Sequence, residues 1–178
     1  MALSLLPGSA GRVLEIGYGS GIFMPALAAR ASDLYGIDTH GHNRDVMETL
    51  ARAGIRSQLY HGSCEQLPFE SRFFDAVVAV SALEFIDDLT VAVREMSRVL
   101  SPDGVLVVIT PARSALADAG LWLLSGRKAE EDFEGGREAV IPALLSHFRE
   151  ERRIQWPMPL LMLYTGLRLR PDFAAPAR

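Results

Sequence analysis

The sequence predicts an α/β fold: a doubly wound, mainly parallel sheet of seven strands that finishes in a C-terminal antiparallel hairpin. Three observations carry this expectation. Short apolar runs alternate with helix-like segments, the pattern of βαβ crossover units. The first run, Val-Leu-Glu-Ile at 13–16, stops abruptly at Gly-Tyr-Gly-Ser-Gly, so that a strand gives way to a tight turn and a helix start. Too few residues separate the last two strand-like runs for a crossover helix, which leaves a hairpin on the sheet edge.

Taken in order, Val13–Ile16 reads as the first strand and Ile22–Arg30 as the first helix, with Pro25 in the first turn, where its missing N–H costs little. Asp33–Ile37 is a short second strand ending at Asp38. Asn43–Ala53 follows as a helix, with Asn43 a candidate cap and Gly54 closing it. Ile55–Tyr60 is a weaker third strand and Phe74–Val80 an almost wholly apolar fourth. Leu89–Leu100 carries an apolar stripe on a helix, Ser101–Gly104 is a turn by composition, and Val105–Ile109 is the cleanest buried strand. Beyond Pro111, Ala115–Leu124 reads as helical, Gly126–Glu138 as charged and exposed, and Ala139–Phe148 as another helix. Arg153–Trp156 and Leu160–Leu169 form the closing hairpin around Pro157 and Pro159.

At 178 residues the chain fits one domain over 1–178, with a short N-terminal segment at 1–11 and a substrate-facing insertion at 111–140. A formal net charge of -4 gives no general attraction to a nucleic-acid backbone. The lone cysteine, Cys64, supports neither a disulfide framework nor a thiolate-rich metal site and fits a reducing, cytoplasmic compartment. The first residues lack the basic start and long apolar stretch of a secretory signal, and no run has the length to cross a bilayer. His40, His42 and His61 lack the spacing of a metal site, so no metal is expected.

In an open parallel sheet the ligand sits beyond the carboxyl ends of the strands, where Gly17, Gly19, Gly21 and Asp38 all fall. Asp38 lies 38 − 17 = 21 residues after Gly17, a separation suited to a carboxylate that accepts hydrogen bonds from ribose hydroxyls; a solvated surface aspartate is the plain alternative. A dinucleotide turn wants a third glycine where this chain has Ile22, and no Gly-Lys-Ser/Thr follows for a P-loop. A nucleoside-bearing cofactor without a pyrophosphate remains.

Four segments in order, VLEIGYGSG, YGID, GSCEQLPFESRFFDAVVAVSALEFIDD and REMSRVLSPDGVLVVITP, resemble the class I S-adenosylmethionine-dependent methyltransferases, in particular the broad small-molecule group called methyltransferase type 11. The resemblance runs from Arg12 to about Pro111 and implies a Rossmann-like sheet with S-adenosyl-L-methionine as cofactor. It implies that Glu15 orients the first loop and helps hold the methionyl ammonium. Gly17, Tyr18 and Gly19 would pass close under the methionine and ribose, Gly21 would open the helix, and Asp38 would clamp the ribose. Thr39 and His40 would border the adenine. An aspartate commonly follows Gly62 in the family; here Ser63 stands there, and Cys64 and Glu65 would share its task. Ser81 to Phe85 would face the methyl group. Phe85 occupies a position where many relatives have histidine, so Glu84 is left as the nearby titratable candidate for a base, with a structural hydrogen-bond role weighed equally.

The expected reaction is methyl transfer to a small, apolar acceptor at N, O or C. The alternative is a catalytically inactive cofactor-binding or regulatory protein on the same fold. No Asn/Asp-Pro-Pro-Tyr/Phe motif follows the fourth strand, which disfavours a nucleobase amine. Trp122 and its leucines are expected either to cover the acceptor or to complete the core. Because the glycine motif arrives so early, the cleft is expected to be open unless residues 111–140 or another subunit close it. A quinone-like or lipid acceptor, with peripheral membrane or homo-oligomer contact, would suit such a mouth, although the acidic balance opposes general attraction to anionic lipid.

Overall fold

The run around Val13 needs apolar cover on both sides, and in the computed structural model, which describes residues 1–111, 136–158 and 161–172, it receives it. Strand β1 (Ala10–Ile16) lies between β2 (Ala31–Asp38) and β4 (Phe74–Val80), parallel to both. β3 (Gln58–His61) extends the sheet beyond β2, and β5 (Leu100–Pro111) lies beside β4, all still parallel. The hairpin of β6 (Phe148–Met158) and β7 (Leu161–Pro171) then adds two antiparallel strands, giving the seven-stranded order β3-β2-β1-β4-β5-β7-β6. This is the Rossmann-like, mainly parallel sheet with a terminal hairpin that the sequence predicts.

Alternate residues divide the core between two faces. Leu14, Ile16, Val77 and Val108 pack beneath α4 (Leu89–Val99) and α5 (Gly136–Leu145), through Val93, Met96, Val140 and Leu144. Val13, Val78 and Val107 pack on the opposite side, against α1 (Ala2–Leu5), α2 (Met24–Ala28) and Leu50 of α3 (Asn43–Arg52).

Several boundaries move from the sequence expectation. The first helix shrinks to Met24–Ala28 because hydrogen bonds from the Gly21 N–H to Tyr18 and from the Met24 N–H to Gly21 spend residues 18–23 on turns. Asn43 is not the cap of α3. His42 takes that place, and the Asn43 amide instead donates to the Leu59 carbonyl. Ile55 belongs to the helix ending, donating to the Leu50 carbonyl, so the third strand starts only at Gln58. The Ser101–Gly104 turn survives as a bulge inside β5: Leu100 pairs with Phe74, and the next pair is Val105 with Ala76.

The hairpin is much longer than predicted. Its polar start, Phe148–Arg153, lies on the sheet edge, where charged side chains are tolerated and pair with each other. Arg153 reaches Glu150 at 2.6 Å, while Arg168 and Arg170 reach Glu151 at 2.9 and 2.7 Å. Helix α1 was not anticipated. Arg30 donates to the Leu3 and Pro7 carbonyls, Arg152 to Ser4 and Arg168 to Leu5, so side chains distant in sequence satisfy a helix end too short to stand alone. Trp122 and the helix expected at Ala115–Leu124 lie outside the described residues.

Candidate active site

Strand order reverses between β1 and β4, and in such sheets the crevice opens at that point beyond the strand carboxyl ends. The register aligns these ends: Ile16 lies beside Ile37 and Ala79, and Asp38 beside His61. An open cleft of about 300 Å³ occupies this position. Its floor includes Ile16 and Gly17, and Asp38 and Thr39 form one side. The loop after β3 supplies Gly62, Ser63, Cys64 and Glu65, and the loop after β4 supplies Ser81, Ala82 and Phe85 to Asp87.

Gly17 cannot be another residue without strain. It has φ +70°, and a Cβ there would sit 2.6 Å from the Ala82 Cβ, so the first turn and the loop after β4 meet with no room for a side chain. Gly19 is different: its φ is +52°, yet a Cβ would meet nothing within 4 Å. Hydrogen bonds hold it instead. Its N–H donates to Asp38 Oδ2 at 2.8 Å, and the other carboxylate oxygen accepts the His40 N–H at 3.2 Å.

Beneath the turn, Glu15 is buried, and its Oε2 has no hydrogen-bond partner among the described residues. Burial, and then the nearby Asp38 charge, pushes its carboxyl up to about 8. The Tyr18 hydroxyl is likewise buried without a partner. Burial first, and Glu65 second, push the Cys64 thiol up to about 12, which leaves it protonated rather than a nucleophilic thiolate.

The carboxylate of Glu65 is already engaged. Oε2 accepts the Ser63 hydroxyl at 2.7 Å and Oε1 accepts the Asp88 N–H at 2.7 Å, while Asp88 Oδ1 caps α4 at Thr90 and Val91. Glu65 therefore braces the loop after β3 against the start of α4. That loop is fastened further by Arg98, which donates to the Phe69 and Leu67 carbonyls at 2.8 and 3.0 Å and pairs with Glu95 at 2.6 Å. Ser81 lines the cleft with φ +49°, a left-handed conformation rare outside glycine, and its N–H donates to Ile109.

Of the residues singled out from the sequence, Gly17, Asp38, Thr39, Ser63, Cys64, Glu65 and Ser81 share the cleft wall. Glu15, Tyr18, Gly19, Gly21 and His40 lie in or against the glycine turn and its neighbours and are not part of that wall. Glu84 is buried on the 3-10 turn Leu83–Phe85 and is also absent from the wall, whereas Phe85 lines it and is 65% exposed. Ala82, from the stretch expected to face the methyl group, lines it, and so do Ile86 and Asp87, which the sequence reading does not single out. Their one signal in the sequence was position, just past the end of a buried strand. Among the described residues no group of three or more His, Cys, Asp or Glu could hold a metal ion, and no helix is long and apolar enough to cross a membrane.

Comparison with known proteins agrees with this geometry. The family described as methyltransferase domain matches residues 14–108. The ubiquinone biosynthesis O-methyltransferase of Azorhizobium caulinodans is 31% identical over 142 residues, which cover 74% of this chain and 56% of that protein. The demethylmenaquinone methyltransferase of Staphylococcus aureus is 30% identical over 108 residues, covering 59% of this chain and 45% of that one. The chain thus spans about half the length of these curated relatives. Among solved structures, the N-methyltransferase NodS from Bradyrhizobium japonicum in complex with S-adenosyl-L-homocysteine superposes with a TM-score of 0.71 at 24% identity, covering 96% of this chain and 85% of that one. The cyclase SpnF superposes with a TM-score of 0.73 at 20% identity, covering 94% and 77%. At these identities the superpositions establish the fold. The family match covers more than half of the sequence, and the chain belongs to the methyltransferase domain family.

Proposed function

We propose that this chain binds S-adenosyl-L-methionine in the cleft at the β1–β4 switch point and transfers its methyl group to a small acceptor. The observation that carries the reading is Asp38, whose carboxylate stands on the cleft wall at the end of β2 and anchors the glycine turn through the Gly19 N–H. The residues present suit the cofactor. Gly17, packed against Ala82, brings bare backbone to the cleft lining, and the buried Glu15 Oε2 lacks a partner that an ammonium or a bridging water would supply. Asp38 would take the ribose hydroxyls, and Thr39, Ser63 and Cys64 would border the adenine. Because both Glu65 oxygens are engaged, Glu65 would serve as a brace.

When bound, the cofactor supplies a methyl carbon on a sulfonium whose leaving group is a neutral thioether. The protein's contribution is alignment and exclusion of water. Phe85 and Ile86, from the loop after β4, add apolar surface to the cleft lining, suited to an apolar acceptor. The names of the ubiquinone and demethylmenaquinone relatives favour a quinone-related acceptor. Asp87 stands on the wall and is the better situated carboxylate to receive an acceptor proton. Glu84, buried on the 3-10 turn, is the alternative carboxylate for that role.

The test is an assay of S-adenosyl-L-homocysteine release with a panel of catechols, hydroquinones and primary amines. Turnover with a hydroquinone or catechol supports the proposal. Cofactor binding without methyl transfer to any acceptor class would favour a cofactor-binding protein without turnover.

A further inference from the structure

Residue 40 touches more of the cofactor turn than its position in a surface loop suggests. The His40 imidazole folds back from the end of β2 so that Nε2 lies 2.7 Å from the Gly19 carbonyl oxygen. Nδ1 accepts the His42 backbone N–H at 3.1 Å. The ring meets Tyr18 edge-on, with centroids 5.0 Å apart, and the His40 carbonyl lies 3.1 Å from His61 Nδ1. One residue thus joins the glycine turn, the end of β2, the end of β3 and the start of α3.

These contacts fix the state of the ring. A backbone N–H pointing at Nδ1 requires a lone pair there, so in the neutral ring the proton resides on Nε2 and donates to Gly19. Gly19 is then gripped on both sides, its N–H by Asp38 and its C=O by His40. Among the described residues nothing lies within 4 Å of where a Cβ at Gly19 would sit, so no neighbour packs on that side of the turn. His40 is not among the residues that line the empty cleft, and its Nε2 contact reaches the site through the turn.

We propose that His40 is a positioning residue: as the neutral Nε2–H tautomer it latches the Gly19 peptide into the orientation that receives the methyl donor. The proposal rests on the assignment of this cleft to S-adenosyl-L-methionine, but the latch is measurable without ligand.

The experiment compares wild type with His40→Ala, His40→Asn and His40→Gln. Glutamine keeps an N–H donor at the reach of Nε2, whereas asparagine keeps only an acceptor near Nδ1. In the ligand-free protein, histidine nitrogen NMR should show the Nε2–H tautomer. Amide exchange at Gly19 and Ser20 should accelerate in the alanine and asparagine variants and stay near wild type in the glutamine variant. Affinity for S-adenosyl-L-homocysteine should fall roughly tenfold or more in the first two and stay within roughly threefold in the glutamine variant. An Nδ1–H tautomer, or unchanged exchange at Gly19 in His40→Ala, overturns the latch. A wild type that shows the latch but binds no S-adenosyl-L-homocysteine overturns the cofactor assignment instead. Equal loss in all three variants, with a lowered melting temperature in each, would make His40 a general structural residue and also reject the proposal.

Discussion

Asp38 Oδ2 accepts the Gly19 N–H at 2.8 Å, so the carboxylate at the end of β2 also shapes the turn that follows β1. Ligand contact and turn geometry therefore meet in one side chain. Replacing Asp38 with alanine should reduce affinity for S-adenosyl-L-homocysteine by roughly tenfold or more, the usual worth of a hydrogen bond to a charged group. Competition against labelled S-adenosyl-L-methionine measures it, and an unchanged affinity would remove Asp38 from the site.

Gly17 carries two constraints at once, φ +70° and a Cβ position 2.6 Å from Ala82. Gly17→Ala should cost roughly 1 to 3 kcal/mol of folding stability and push the β1 turn away from the loop after β4. Urea unfolding reads the first effect and cofactor titration the second. A variant as stable as wild type would mean that the loop after β4 moves aside freely.

Glu15 makes a prediction about pH. Its carboxyl titrates near 4.5 when unfolded and is raised to about 8 in the fold, chiefly by burial, so folding takes up a proton between these values. The contribution of Glu15 to stability is fully present below the lower value and is lost as pH rises through the upper one. The loss approaches at most about 1.4 kcal/mol per pH unit within the window. Glu15→Gln should abolish this slope and be relatively more stable at the alkaline end. Denaturation midpoints compared across the window test this, and parallel pH profiles for the two proteins would contradict it.

Arg98 donates to the Leu67 and Phe69 carbonyls and pairs with Glu95 Oε1, fixing the segment that leads from the cleft loop to β4. Arg98→Ala should cost about 1.5 to 3 kcal/mol, toward the lower end because the pair is partly open to solvent. The Leu67 N–H, held by Glu95, should lose exchange protection. Thermal unfolding and amide exchange check both, and full protection of Leu67 in the variant would show that the loop does not depend on Arg98.

What was legible in the sequence follows from periodicity and glycine chemistry. Phe74–Val80 was readable to the residue because, apart from the exposed Asp75, it is the continuous apolar run of a strand covered on both faces. Gly17 and Asp38 were readable because strand ends and turn residues announce themselves locally. The long hairpin was not, since Arg149 to Arg153 look polar until the pairing of Glu151 with Arg168 and Arg170 makes them an edge strand. The brace at Glu65 was equally hidden: its partner Asp88 lies 23 residues away, across a register that only the folded sheet defines. The family resemblance puts His40 at the adenine border, whereas its contact with the Gly19 carbonyl depends on a side-chain direction that no spacing reveals.

The cleft beyond β1 and β4 is the site assigned to S-adenosyl-L-methionine. Calorimetric titration of the purified protein with S-adenosyl-L-homocysteine tests it most directly. Saturable binding of one ligand per chain is the expected result. No heat with either S-adenosyl-L-homocysteine or S-adenosyl-L-methionine, alongside clear binding of a nicotinamide dinucleotide, would contradict it.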